Sequence, residues 1–158
     1  MENKKINIIE NFLSKEECNY IINNHKNGKS LDLTHISEKI VEVLNDNFKF
    51  RGYELGDLEH LLFKEYTPKT KYSLKWNVNN ESYFTIIVQL NDNFDNGYHQ
   101  YLLNDDEKYF QSPKITGSLV FFFSNIKHRL SPVESDFKYI LETEIKLLES
   151  PEFKKTLI

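Results

Sequence analysis

The sequence predicts an α+β fold in which two N-terminal helices support one face of an antiparallel β-sandwich. Apolar residues recur at helical spacing in the first third of the chain, and from Leu58 onward they recur at strand spacing. The strand-like runs are short, and clusters of Asn, Asp and Gly, which are typical of turns, separate them. With 158 residues, of which 39% are hydrophobic, the chain is long enough for one packed core. We therefore expect one domain over residues 1–158.

The N-terminal segment predicts a short strand over residues 6–9 and then a helix. Ser14 and Glu17 have the spacing of a capping box, in which each side chain accepts a hydrogen bond from the other residue's backbone N–H. The apolar stripe that follows has helical spacing and ends before Gly28; its members are Cys18, Ile21, Ile22 and His25.

A second helix is predicted from about Ile36 to Asn47, with Thr34 as its cap. Its apolar face consists of Ile36, Ile40, Val43 and Leu44. The β-rich runs after it cover residues 58–66, 83–90, 98–103, 118–123 and 137–147. Two helices followed by many short strands favour helices on one face of an antiparallel sandwich.

Charge and cysteine content exclude several classes of protein. The net charge of −4 argues against a general binder of phosphate backbones. A single cysteine, Cys18, excludes an intrachain disulfide framework and a cysteine-based zinc site. No apolar run is long enough for a signal peptide or a membrane helix. We therefore expect a soluble cytoplasmic protein without a nucleic-acid or membrane partner.

The residue usage is uneven, with 17 Asn, 14 Ile, 18 Lys against 2 Arg, and no Ala. This pattern indicates A/T-rich codons, as in many viral, phage and AT-rich bacterial genomes. Because His and Asp codons each become Asn codons by one base change, the bias bears on any Asn found where His or Asp is expected.

Four segments resemble the prolyl 4-hydroxylase-like branch of the Fe(II)/2-oxoglutarate oxygenases, and the resemblance spans nearly the whole chain. They are Ile-Glu-Asn-Phe-Leu-Ser at 9–14, Leu-Phe-Lys-Glu-Tyr-Thr-Pro at 62–68, the strand and Asn-Gly turn at 85–97, and the segment 113–133. The last is the most specific, because a strand leads to His128 and then to Pro132-Val133. The resemblance implies a double-stranded β-helix, or jelly-roll, core behind the two helices.

The resemblance also implies a site. Such enzymes hold iron with a His-x-Asp pair and a distal His, which corresponds to His128, and bind 2-oxoglutarate beside the metal. A basic residue about ten positions after the distal His binds the far carboxylate of 2-oxoglutarate, and Lys138 has this spacing. Tyr66 and Thr85 are further predicted cosubstrate contacts.

The first metal motif departs from the family pattern. The family's His-x-Asp aligns with Asn77 and Asn79, and no His-x-Asp or His-x-Glu occurs in the sequence. Asn supplies neither an imidazole nitrogen nor a negative charge, so we expect iron binding to be impaired or absent. His99 and His60 are the two alternatives for a replacement ligand.

Three functions stay open at this point. The chain is an oxygenase-fold protein without iron, or an active dioxygenase that hydroxylates a peptide or small molecule at a non-standard metal site, or a non-catalytic binding or assembly module. The sequence assigns no catalytic residue and no oligomeric state. Substrate choice would depend on loops, for which residues 52–57 and 69–75 are the predicted segments.

Overall fold

The structure, a computed structural model, describes residues 6–47, 53–103 and 108–149. Its elements in chain order are β1 (Ile6–Ile9), α1 (Lys15–Lys26), α2 (Thr34–Asn47), β2 (Tyr53–Leu58), β3 (Leu62–Tyr66), β4 (Phe84–Gln89), β5 (Asp95–Asn96), β6 (His99–Leu102), β7 (Tyr109–Gln111), β8 (Leu119–Phe123), β9 (Lys127–Leu130), β10 (Val133–Ser135) and β11 (Lys138–Glu149). The predicted fold class, mostly sheet with two helices, is confirmed. Within the described ranges, neither helix is long and apolar enough to cross a membrane.

Helix α1 begins as the sequence predicts. The Ser14 side chain accepts a hydrogen bond from the Glu17 backbone N–H, and the Glu17 carboxylate accepts one from the Ser14 N–H, each at 3.1 Å. The stripe residues Cys18, Ile21 and Ile22 are buried, whereas His25 is exposed and stacks on Phe63 at 3.8 Å between ring centroids.

Helix α2 begins two residues earlier than predicted, and Thr34 is its first residue instead of its cap. The Asp32 carboxylate accepts hydrogen bonds from both the backbone N–H and the hydroxyl of Thr34. Asp32 therefore satisfies a backbone N–H at the helix start, the task that the sequence assigned to Thr34.

A six-stranded antiparallel sheet, the major sheet, has the order β1-β8-β4-β11-β2, and β3 also pairs with β11. Its strands β4 and β8 are almost wholly buried. One face packs against the helices through a cluster that includes Ile40, Phe84 and Leu141. The opposite face carries a second cluster that includes Ile87, Phe122 and Ile140. The major sheet is thus buried on both faces.

Two smaller sheets, β7-β6-β9 and β10-β5, form the other layer. Tyr101 of β6 belongs to the second cluster and contacts Phe122 edge-on, with 4.9 Å between ring centroids. The inward faces of the major and smaller sheets therefore meet there and enclose the interior of the jelly roll.

The strand predictions differ from the structure in two ways. The predicted run 58–66 covers the end of β2 and all of β3. The prediction of a substrate loop at residues 52–57 is wrong, because residues 53–57 belong to β2; Gly52 lies outside the described residues. The strands β5, β7, β9 and β10 were missed because they have two to four residues each and little apolar alternation. Residues 69–75 do form a loop.

The segment before α1 contacts the start of β8 at Gly117. The backbone N–H of Leu13 donates to the Gly117 carbonyl at 3.0 Å, and Gly117 has φ of +82°. A Cβ atom at this position would lie 2.1 Å from the Leu13 carbonyl oxygen. Only glycine allows both this backbone conformation and this close approach.

Candidate functional site

The predicted site residues lie on strands that surround the interior of the jelly roll. Lys138 begins β11, Thr85 lies on β4, Tyr66 ends β3, and His128 lies on β9. Alternate residues of a strand point to the same face, so the register of the sheets decides which of these side chains share the interior.

Asn77 and His128 lie directly opposite each other in an isolated antiparallel bridge. Each backbone N–H donates to the other residue's carbonyl, at 2.8 and 2.9 Å. Directly opposed residues of an antiparallel pair project to the same side, with Cβ atoms about 4.5–5.5 Å apart. The structure therefore brings together two of the three predicted ligand positions.

Trp76 and Arg129 cover the outer side of this bridge. The Arg129 guanidinium lies 4.1 Å from the Trp76 ring centroid and 5.5 Å from that of Tyr109. It also donates to the side chain of Gln100 at 2.9 Å and to the backbone carbonyl of Leu74 at 3.1 Å. These contacts fix the backbone position of the segment that carries Asn77.

One nitrogen of the His128 imidazole, Nδ1, is hydrogen-bonded, and the other, Nε2, has no hydrogen bond to a described residue. Its Nδ1 lies 2.8 Å from the Ile126 carbonyl, so Nδ1 carries the proton and donates. The ring also contacts Phe122 edge-on, with 5.0 Å between centroids. A neutral His128 therefore presents the lone pair of Nε2, as a metal-binding histidine does.

The side chain of Asn79, in contrast, hydrogen-bonds to two other residues. Its side-chain oxygen accepts a hydrogen bond from the Glu81 backbone N–H at 2.9 Å, and its amide nitrogen donates to the Glu144 carboxylate at 2.5 Å. The oxygen is the only metal-binding atom that an Asn side chain offers, and one of its two lone pairs already accepts this hydrogen bond. Glu144 on β11 is a residue that sequence reasoning missed.

These residues do not fit iron. Fe(II) in this fold needs two imidazoles and a carboxylate, whereas the three positions supply His128, an exposed neutral Asn77 and a hydrogen-bonded Asn79. Across the described residues, no group of three or more His, Cys, Asp or Glu side chains could hold a metal ion.

Lys138 is a buried lysine at the start of β11. It is 1% exposed, and its ammonium donates to the Gly97 carbonyl at 2.7 Å and lies 5.2 Å from the Phe94 ring centroid. Among the described residues, no carboxylate lies within ion-pair distance of it. Burial, and then the nearby charge of Lys114, lower the pKa of Lys138 to about 7.

Tyr66 lies directly opposite Lys138 in the pairing of β3 with β11. Burial raises the pKa of its hydroxyl, and the carboxylate of Glu142 raises it further. Glu142 forms an ion pair with Lys64 on the same two strands. The structure thus brings Tyr66 and Lys138 together and keeps Tyr66 neutral.

Thr85 lies at the other end of β4 from Lys138. Its hydroxyl lies 2.9 Å from that of Ser124, which also accepts a hydrogen bond from Ser82. Across the β4–β11 pair Thr85 is opposite Glu144, whereas Gln89 is opposite Ile140, two residues from Lys138. Gln89 is therefore the β4 side chain beside Lys138, and the sequence analysis did not identify it.

Gln89 and His99 each carry a buried nitrogen, Nε2 in both cases, without a hydrogen-bond partner in the described part of the chain. Burial lowers the pKa of His99 well below its usual value, and the nearby charge of Lys138 adds to this. His60, the other alternative ligand, lies in the exposed connection between β2 and β3.

The chain has the fold of solved prolyl 4-hydroxylase-like 2-oxoglutarate/Fe(II) oxygenases. It is similar to a Pseudomonas putida prolyl-4-hydroxylase, with a TM-score of 0.71, 17% identity, and coverage of 90% of this chain and 84% of that one. It is also similar to the viral collagen prolyl hydroxylase of Paramecium Bursaria Chlorella virus-1 in a 2OG complex, with a TM-score of 0.60, 20% identity, and coverage of 90% and 96%. A third is a Trichoplax adhaerens prolyl hydroxylase in complex with a hypoxia inducible factor peptide, with a TM-score of 0.68, 15% identity, and coverage of 96% and 86%. No protein-family model and no curated protein matches the sequence.

Proposed function

We propose that the protein is a non-catalytic relative of these oxygenases that binds 2-oxoglutarate, or a similar short dicarboxylate, without iron. The observation that carries the proposal is the contrast between the two ends of the site. One end, which we call the metal end, carries the three predicted ligand positions Asn77, Asn79 and His128, and there the Asn79 side chain is hydrogen-bonded to Glu81 and Glu144. At the other end Lys138 is buried and has no counter-ion among the described residues.

The metal end supports the loss of iron. Two hydrogen bonds hold the Asn79 side chain in place, and this side chain offers a metal only a neutral oxygen. Losing even an outer-shell partner of a metal ligand costs about 10–100-fold in affinity. Replacing two ligands themselves costs more, so His128 alone does not retain iron.

The Lys138 end supports the binding of an anion. A buried ammonium is costly unless it is paired, and among the described residues the Lys138 ammonium has one hydrogen-bond partner, a carbonyl. Lys114 adds a second positive charge near it, because its ammonium donates to the Phe94 carbonyl at 2.8 Å. A carboxylate placed against Lys138 would pair the charge, and Tyr66 lies opposite to complete the contact.

Calorimetric titration with 2-oxoglutarate in the presence of EDTA tests the proposal. We expect wild-type protein to bind, and Mn(II) in place of EDTA to leave the affinity within about twofold. Lys138→Met should weaken binding about 10–100-fold, the size of one hydrogen bond to a charged group. Lys146→Met, an exposed lysine on the same strand, is the matched control and should bind as wild type does.

Two other outcomes would contradict the proposal. Succinate release with Fe(II), ascorbate and 2-oxoglutarate, above the level of a His128→Ala control, would show an active dioxygenase with a non-standard metal site. Absence of binding, with the melting temperature of the wild type unchanged between buffer and dicarboxylate, would indicate an assembly module that binds neither group.

A further inference from the structure

Two buried side chains of the interior have unused hydrogen-bonding nitrogens. The Nε2 atoms of Gln89 and His99 are both inaccessible to solvent and have no partner among the described residues, and the whole Gln89 side chain is only 6% exposed. About 90% or more of buried polar groups in proteins are satisfied, so two unsatisfied nitrogens in one region need an explanation. A missing ligand with oxygen acceptors is one.

The residues that carry the two nitrogens lie near Lys138 in the two layers. Gln89 on β4 is opposite Ile140, so it is a diagonal neighbour of Lys138 on the same face of the major sheet. The Lys138 ammonium reaches across to the carbonyl of Gly97, two residues before His99 on the smaller sheet. The three groups therefore border the interior where the two layers meet.

His99 also lies on the path from Lys138 towards His128. Tyr101 is directly opposite His128 in the pairing of β6 with β9, and His99 is two residues from Tyr101 on the same face. A neutral imidazole has one N–H, and with the proton on Nε2 the buried nitrogen of His99 is a donor.

We infer that Gln89 and His99 are the donors that, together with Lys138, hold the dicarboxylate in the absence of a metal. This inference rests on the proposed function and deepens it. Gln89 shares with Lys138 the carboxylate at the β11 end, and His99 donates to an oxygen of the ligand on the His128 side. The ligand class is a short dicarboxylate, because the acceptors must reach donors on both sides of the interior.

The test compares the apo stability and the ligand affinity of three variants. Gln89→Leu and His99→Leu remove nitrogens that have no partner, so the melting temperature without ligand should stay the same or rise. Each should weaken the binding of 2-oxoglutarate in EDTA about tenfold, and the thermal stabilisation by the ligand should fall accordingly.

Gln100→Leu is the matched control, because Gln100 is a buried glutamine on β6 with both side-chain atoms bonded, to Gln111 and to Arg129. It should lower the melting temperature and leave the affinity unchanged. The inference is overturned if Gln89→Leu and His99→Leu bind as wild type does while Lys138→Met loses binding. It is also overturned if both variants melt several degrees lower without ligand, which would mean that the protein or a buried water uses these nitrogens. Failure of wild type to bind 2-oxoglutarate or succinate at all would overturn the proposed function itself.

Discussion

Lys138 is the residue whose chemistry depends most on its surroundings. In the unfolded chain its ammonium is hydrated and has an ordinary pKa near 10.5, whereas in the folded protein burial lowers the pKa to about 7. Below pH 7 both states carry the proton, and the folded state bears the full cost of a buried charge. Between pH 7 and about 10 the folded protein loses the proton first, so its stability rises with pH.

Lys138→Met removes this titration and should stabilise the ligand-free protein most at low pH. At pH 6 we expect a gain in the free energy of unfolding on the order of 3–5 kcal/mol, from a pKa shift of this size in a buried group. The gain should shrink as the pH rises from 7 to 10. Urea unfolding at pH 6, 8 and 9.5 measures it, and a gain that is independent of pH would contradict this account.

The register between strands determines which side chains contact each other at the site. Glu144 faces the metal end because β11 pairs with β4 so that Glu144 is opposite Thr85, and this places its carboxylate at Asn79. The family resemblance predicted Asn77, Asn79, His128 and Lys138 as site positions, since each lies in or after a recognisable string. It did not identify Glu144 or Gln89, because their relation to these positions depends on which residues pair across the sheets.

Restoring the family's carboxylate at position 79 should therefore damage the protein. Asn79→Asp replaces an amide donor with an anion beside the Glu144 carboxylate, and we expect a loss of about 1–3 kcal/mol in the free energy of unfolding at pH 7.5. Adding Glu144→Gln should recover most of it, because the new amide at position 144 donates to the carboxylate introduced at position 79.

The neighbouring Asn80 is exposed, and Asn80→Asp should change the stability by less than about 0.5 kcal/mol. Denaturant unfolding of the wild type, Asn79→Asp, Glu144→Gln and the double variant gives the coupling between positions 79 and 144. A loss in the double variant equal to the sum of the two single losses would show that the pair does not interact.

Across the whole molecule, periodicity predicted the fold class and the core strands, because long apolar runs have few alternatives to burial. Apart from β6, it missed the strands of the smaller sheets, because strands such as Lys127–Leu130 are short and polar and are held by their neighbours instead of by their own propensity. It also missed the contact between the N-terminal segment and β8, which joins residues far apart in the chain at Leu13 and Gly117.

Gly117→Ala tests that contact. The added Cβ meets the Leu13 carbonyl as well as an unfavourable φ, so we expect a loss of about 3–5 kcal/mol in the free energy of unfolding. Gly28→Ala is the control for backbone conformation alone, because Gly28 has φ of +67° and open space around it; about 1–2 kcal/mol is expected. Thermal unfolding compares the two, and equal losses would mean that Leu13 moves aside freely.

The stacking of Arg129 on Trp76 has an optical consequence. Trp76 is the single tryptophan of the chain and immediately precedes Asn77, which is bridged to His128. Its indole emission therefore reports on one defined place, next to the site, against a background of Tyr and Phe alone. A small molecule that shifts the bridge changes the distance between the guanidinium and the indole, and with it the wavelength and intensity of the emitted light. The protein thus carries its own fluorophore for following occupancy without a label.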